Sequence, residues 1–317
     1  MTAPTELEPR TQPPVIRSGR QIARDRRRRA LARFWREYRK DRDGMIGLAI
    51  LVLMIAVALA APLLASASGL NVTLATYPVN AGPALHYPLG TDADGRSVLT
   101  ELIWGSRISL LIGFAATALS MVIGAVIGIV AGHFGTLNSW FGRQTDNVLM
   151  RVTDWFLVVP FLPLAIVLAR TLGPSLHVII IVIGITSWPG TARIIRAQAL
   201  AVETRPYLER ARALGAGHWH QMSKHVLPNV MPLLLANTIL TVAGTILAET
   251  TLSFLGLGDP TRASWGEMLN GAFNNGVGTG NALWLLAPGV AIIVVVMGFT
   301  LVGHAMEAVL NPKLRER

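Results

Sequence analysis

Six apolar stretches run through this chain, at 45–65, 108–131, 155–169, 176–192, 226–248 and 282–306. A helix that crosses a bilayer needs about 20 apolar residues. The first, second, fifth and sixth stretches reach that length, and the fourth lies at its lower limit. The third is bounded by Asp154 and Arg170 and spans only if it extends back through 147–150. One such stretch alone would suit a buried helix of a soluble domain. Six together point to an all-α integral membrane protein with six transmembrane helices, because helices satisfy their own backbone polar groups in lipid. The charge content agrees: 15% of residues are charged, against about 25% in a soluble domain. Pro160 and Pro163 interrupt the third stretch, and each removes a helix hydrogen bond, so that span is expected to kink. The first stretch ends in Ala65-Ser66-Ala67, which looks like a signal cleavage site. A signal core, however, is about 7–15 residues long after a short basic segment. Here 44 residues come first, so the stretch reads as a retained membrane helix.

Charge orients the spans. The net charge is +10, and its distribution is uneven. With the N-terminus inside, the inner segments are 1–44, 132–154, 193–225 and 307–317. They hold 24 of the 28 Lys and Arg, and the outer segments hold Arg96, Arg107, Arg170 and Arg262. Basic residues favour the cytoplasmic side, so both termini are expected in the cytoplasm. The tail at 1–44 contains Arg24-Asp25-Arg26-Arg27-Arg28-Arg29. Such a block can bind nucleic acid, but beside a membrane span it reads as a solvated basic flank. Leu31, Phe34, Trp35 and Tyr38 have the spacing of an interfacial helix over about 22–42, facing membrane lipid. The organisation expected is a basic tail (1–44), a first helix (45–65), an outer loop (66–107), a five-helix core (108–306) and a short inner tail (307–317).

Two loops are patterned. The inner loop within 193–228 contains Pro206, suited to a first helical turn, then Leu208, Ala211 and Leu214 near one face. Gly215 is placed to end that helix with positive φ. A second short helix is expected over 218–226, leading to Pro228. A short helix with a small apolar face suits a partner's groove or the membrane surface; periodicity does not choose between them.

The same loop resembles the "EAA" loop of the membrane subunits of ATP-binding-cassette (ABC) importers. That pattern has Glu-Ala-Ala, three residues, Gly, nine residues and Leu-Pro. It matches Glu209, Ala211, Gly215, Leu227 and Pro228, with Arg210 in place of the first Ala. The outer segment His86-Tyr87-Pro88-Leu89-Gly90-Thr91-Asp92-Ala93-Asp94-Gly95-Arg96-Ser97, followed by Gly105-Ser106-Arg107-Ile108-Ser109-Leu110, is similar to the C-type permease of the dipeptide/oligopeptide/nickel branch. Tyr87 is an insertion there and Ser97 replaces Asp. Glu249 to Gly258 and Asn311-Pro312 extend the likeness over roughly 25–317. The resemblance implies the type I ABC importer transmembrane fold (MetI-like). It implies a heterodimer with a second, B-type permease, two cytoplasmic ATPase domains and an extracytoplasmic substrate-binding protein. Glu209, Ala211, Leu214, Gly215, His218, Leu227 and Pro228 would then couple to the ATPase. Gly90, Thr91, Asp92, Gly95 and Arg96 would face the binding protein.

The chain has no Gly-Lys pair, and therefore no phosphate-cradling P-loop. ATP and Mg are expected on partner subunits, with no cofactor on this chain. Glu249 falls toward the outer end of the fifth span. Intramembrane charges normally pair or face a cavity, so a pair with Arg107 or Arg170 is expected at an outer gate. His218 and His220 are two apart and diverge on a helix, so no metal site is expected. No set of nucleophile and base or of paired carboxylates converges, so enzyme activity is not expected. A nickel or other small-solute importer is the near alternative, and an ATP-independent transporter or channel the remote one. The latter predicts charges at mid-membrane, and only Glu249 is embedded.

Overall fold

The computed structural model describes residues 19–275 and 281–310. The tail before residue 19 and Asn311-Pro312 lie outside them. Twelve α-helices make up the described fold: α1 (Gly19–Tyr38), α2 (Arg42–Leu64), α3 (Val98–Gly135), α4 (Trp140–Val158), α5 (Phe161–Leu172), α6 (Leu176–Thr186), α7 (Trp188–Glu203), α8 (Pro206–Ala213), α9 (His218–Gln221), α10 (Leu227–Phe254), α11 (Trp265–Asn275) and α12 (Ala282–Leu310). Five helical segments are long and apolar enough to cross a membrane, and a bent pair brings the number to six.

That bent pair corrects the expected third span. α4 and α5 are not one kinked helix but two helices at 88°. Val159, which precedes proline, is extended (φ −74°, ψ 122°), because the proline ring disfavours helical geometry in the residue before it. Pro163 lies in the first turn of α5, where a missing N–H breaks no helical bond. The fourth span differs too. α6 stops at Thr186 and α7 runs on to Glu203, so the inner loop begins as a continuing helix.

α3 is the centre of the bundle. At about 1.5 Å per residue its 38 residues reach about 57 Å, well beyond a hydrocarbon core of about 30 Å. It packs against α7, α10, α6 and α4, while α2 and α12 pair beside it. Gly124, Gly128 and Gly132 lie where α3 meets α7. A Cβ on Gly128 would stand 2.6 Å from the Ala192 carbonyl oxygen, so the two backbones touch only because the side chain is missing. This small-residue seam is internal to the chain.

Two ion pairs fasten α4 to the inner half of α7. Arg196 forks onto Asp146 at 2.7 and 2.6 Å, and Arg193 reaches Asp154 at 2.6 Å. α1 is anchored by Tyr38, whose buried hydroxyl donates to the Gly44 carbonyl at 2.8 Å.

Candidate functional site: a coupling turn and its polar anchor

The inner loop folds as helix, glycine turn and helix. Gly215 has φ +82°. Its N–H bonds the Arg212 carbonyl (2.9 Å) and the Ala216 N–H bonds the Ala211 carbonyl (3.0 Å). These are the two bonds of a Schellman cap, which needs a left-handed residue at this position. The second helix is short. α9 runs into a π-helical turn at Met222–Val226 that feeds α10 without a break.

The apolar stripe of α8 divides. Leu208 is fully buried in a cluster with Val202, Val226 and Val230, whereas Leu214 is 88% exposed. Residues six apart on a helix point roughly 120° away from each other, so one anchors α8 and the other projects. Glu209, Gly215, His218 and Pro228 are also exposed, and Ala211 and Leu227 are half-buried. Tyr207, Arg210, Leu214, Gly215, His220 and His225 border a hollow of about 630 Å³. Trp219 is also exposed. Leu214, Trp219 and Tyr207 thus leave large apolar groups exposed around one turn, the kind of patch that marks interaction sites in general.

Behind the turn lies a polar anchor that spacing did not reveal. Glu203, at the end of α7, has a fully buried side chain. One carboxylate oxygen receives the His133 Nδ1 at 2.6 Å, and the other pairs with the Arg212 guanidinium. A carboxylate in an ion pair accepts only, so His133 donates through Nδ1, and its Nε2 is hydrogen-bonded to His218 Nδ1 at 2.9 Å. Arg212 Nε donates to Gln221 Oε1 (3.0 Å), and Gln221 Nε2 donates to the Ala216 carbonyl (2.6 Å). Four elements, α3, α7, α8 and α9, are thereby tied to one buried carboxylate. Residue type offers a signal only at Glu203 and Arg212, nine residues apart. His133 lies seventy residues from Glu203.

The outer residues differ from expectation. Gly90, Thr91, Asp92 and Gly95 are buried, not presented to a partner. The Thr91 hydroxyl accepts from the Ala81 N–H (2.8 Å) and donates to the Pro78 carbonyl (2.6 Å). Asp92 accepts from the backbone N–H groups of Asp94 and Arg96 and from Arg96 Nε. These side chains hold the outer loop together, and Asp94 is the exposed residue within 90–97. Beyond two short 3-10 turns at Ala67–Leu70 and Val72–Leu74 the loop has no helix or strand before α3, so its backbone polar groups need these partners.

Glu249 does not pair with Arg107 or Arg170. Among the described residues it makes no ion pair. Its carboxylate accepts from the Ser109 hydroxyl at 3.1 Å and the Ser253 hydroxyl at 2.9 Å. Both arginines are exposed, and Arg107 lies over the Trp104 ring at 5.8 Å. The physical reason is direction: Glu249 faces α3 and its serine, while the arginines leave the bundle.

Comparison with known proteins agrees with this architecture. The family model described as the binding-protein-dependent transport system inner membrane component matches residues 124–316. The model described as the N-terminal TM domain of oligopeptide transport permease C matches residues 30–83. The chain belongs to the binding-protein-dependent transport system inner membrane component family. It is 35% identical over 284 residues to a putative peptide transport system permease protein of Brucella abortus, covering 88% of this chain and 91% of that one. It is 34% identical to the dipeptide transport system permease protein DppC of Bacillus subtilis, covering 89% and 85%. It is 35% identical to the oligopeptide transport system permease protein OppC of the same organism, covering 88% of each chain. Its fold is similar to a chain of the MetNI methionine ABC transporter in inward-facing conformations, with TM-score 0.55 and 19% identity over 67% of this chain and 97% of that one. That likeness is one of fold. Members of this family are membrane components of ABC transporters and are in general not the catalytic subunit.

Proposed function

We propose that this chain is the C-type permease subunit of an ATP-driven peptide importer. It forms half of a translocation path together with a B-type permease. Two ATPase domains bind ATP and Mg and grip the turn at Gly215, and an extracytoplasmic binding protein delivers the peptide. The chain lies in a bacterial plasma membrane with both termini cytoplasmic, and holds no cofactor. The peptide class is taken from the relatives, which are named for peptide, dipeptide and oligopeptide transport.

The observation that supports coupling is the exposed Schellman turn tied to the buried Glu203 anchor. An ATPase that closes around Leu214 and Gly215 moves α8. The Arg212–Glu203–His133 bonds then hand that motion to α7 and to the long central α3. Because a two-state rearrangement needs rigid connections between the driver and the moving helices, this anchor suits that task. Glu209, Ala211, His218, Leu227 and Pro228 complete the coupling surface or its joint.

The test is reconstitution with both ATPases, the second permease and the binding protein. Peptide uptake should require this chain and ATP. Gly215→Asp meets no neighbour within 4 Å, so its direct cost is conformational, about 1 kcal/mol. Uptake should fall while basal ATP hydrolysis persists. Intact peptide-stimulated hydrolysis together with intact uptake would refute the assignment of the turn.

A further inference from the structure

The basic segment before the first span has no part in the coupling turn or the transport cycle. Residues 19–43 hold eleven Lys and Arg against four Asp and Glu. α1 takes up most of this segment, and its packing fixes its pose. Tyr38 is 3% exposed and packs with Phe34 in the cluster that contains Ala305 of α12. A Cβ on Gly44 would stand 2.4 Å from the Ala305 Cβ and 3.2 Å from the Tyr38 ring, so the start of α2 is wedged between α12 and the end of α1. Only residues 39–41 separate the two helices, and the Asp41 carboxylate accepts from the Gly44 N–H at 2.9 Å. α1 therefore does not swing freely about the first span.

This packing divides the apolar stripe expected to face lipid. Phe34 and Tyr38 turn toward the protein, while Trp35 stays 45% exposed. At about 100° per residue, Arg28, Arg29, Arg33 and Arg36 fall within an arc of about 140° opposite Phe34 and Tyr38, with Trp35 at one edge. Asp25 is the acid within that arc. The four arginines are exposed, as are Arg39 and Arg42 beyond the helix end. Among the described residues, none of these six arginines forms an ion pair. Lys40 takes Glu37 at 2.9 Å, and Asp41 caps α2. A surface with this excess of one charge lacks its counterpart within the chain.

Position identifies the counterpart. The first apolar run begins at Met45, and Arg42 precedes it by about 4.5 Å along α2. The headgroup layer is about 5–8 Å thick on each side of the hydrocarbon core. Arg42, and Arg39 beside it, therefore lie at headgroup depth, and an exposed tryptophan next to them is the usual anchor at that level. Clusters of about four to eight Lys or Arg next to a span attract anionic lipid. The basic residues of the arc are arginines, whose planar fork matches two phosphate oxygens at once.

We propose that the exposed arginine face of α1, continued by Arg39 and Arg42, is a binding surface for the phosphate groups of anionic phospholipids. The surface is independent of what the chain transports.

The test uses the full chain with its permease and ATPase partners in detergent. The complex is titrated with phosphatidylglycerol and with phosphatidylcholine of the same acyl chains, and bound lipid is counted by native mass spectrometry. Phosphatidylglycerol should bind at least about tenfold more tightly. Attraction to each Lys or Arg near the surface corresponds to about fivefold in affinity, so Arg33→Gln with Arg36→Gln should weaken phosphatidylglycerol roughly twentyfold. Phosphatidylcholine should be unaffected. Arg33→Lys with Arg36→Lys keeps the charge and should keep most of the affinity. Arg143→Gln with Arg151→Gln removes two exposed charges from α4 and should stay within about twofold of wild type, because the attraction is local. Salt tests the wild-type complex directly, which covers the case in which the Gln variant fails to assemble. Raising ammonium acetate from about 0.1 M to about 1 M shortens the screening length from about 10 Å to about 3 Å and should erase the preference. Equal affinity for the two lipids, a preference that survives high salt, a Gln variant that binds phosphatidylglycerol like wild type, or an equal loss in the α4 variant would each overturn the proposal. Capture of a DNA duplex in place of phosphatidylglycerol would assign the arc to nucleic acid and overturn it too. Loss of an ATPase from the Gln variant would assign the arc to a protein partner, with the same consequence.

Discussion

Arg212→Met isolates the anchor behind the coupling turn. Methionine keeps the apolar stem of the side chain, so the change removes mainly the guanidinium. Glu203 then keeps its His133 bond but loses the cation on its other oxygen, and its side chain has no exposure to water. Stranding one partner of a buried ion pair costs about 3–5 kcal/mol. The Arg212 side chain is 31% exposed, which places the effect at the lower end, about 3 kcal/mol. Gln221 also loses the donor to its carbonyl oxygen, adding about 1 kcal/mol. The strain falls on the attachment of α8, which is held otherwise by Leu208. Hydrogen exchange of the α8 amides in nanodiscs measures that attachment directly. A total loss of about 4 kcal/mol predicts local opening increased on the order of a thousandfold. In the reconstituted importer, transport per ATP should fall in the same variant. The double change Glu203→Gln with Arg212→Gln removes the stranded charge and should restore most of the protection, as expected for two residues that interact. Exchange of α8 within threefold of wild type in Arg212→Met would show that the buried carboxylate does not hold the turn, and the coupling argument would fail with it.

Two further outcomes follow from packing and charge. Gly128→Val puts a side chain 2.6 Å from the Ala192 carbonyl oxygen and 2.9 Å from Ile195 Cβ. It should destabilise the α3–α7 contact by about 1–3 kcal/mol, read as a lower thermal midpoint, whereas Gly244→Ala, with nothing within 4 Å, should be neutral or stabilising by up to about 1 kcal/mol. Glu267 has a raised folded-state pKa, caused first by burial and partly opposed by Arg96. The folded state therefore holds its proton to higher pH than the unfolded chain does, and stability falls as pH rises from the ordinary carboxylate range through the raised value. Glu267→Gln cannot lose that proton, so it should raise the thermal midpoint at neutral pH, with the gain disappearing below the ordinary carboxylate range. A variant no more stable than wild type at neutral pH would contradict the sign.

How much of this was legible in the sequence depends on whether a feature is local. The apolar runs and the Gly215 stop were readable because spacing along one helix encodes them. Gly215 does have positive φ, and Pro206 does open α8. The break at Val159-Pro160 was half readable: proline announces an interruption, but the 88° angle depends on how α4 and α5 pack on α3 and α6. The partners of Glu249 were not readable at all. An embedded carboxylate suggests an arginine, yet hydroxyls of Ser109 and Ser253 serve as donors, and serine carries no charge to attract notice. The outer loop misled for the opposite reason. Gly90, Thr91, Asp92 and Gly95 were conspicuous as a motif, and the likeness suggested a surface, but a long loop with only two short 3-10 turns must satisfy its own backbone, and those residues are buried doing so. The Glu203 anchor combines both difficulties. Its members come from α3, α7, α8 and α9, and His133 sits just past the uncharged 108–131 stretch of α3, where it reads as a minor blemish. Only the close approach of α3 and α7, which Gly124, Gly128 and Gly132 permit, brings that histidine to the loop it holds. The small residues and the coupling anchor are therefore one device: the first sets the distance between two helices, and the second uses that distance to carry force between them.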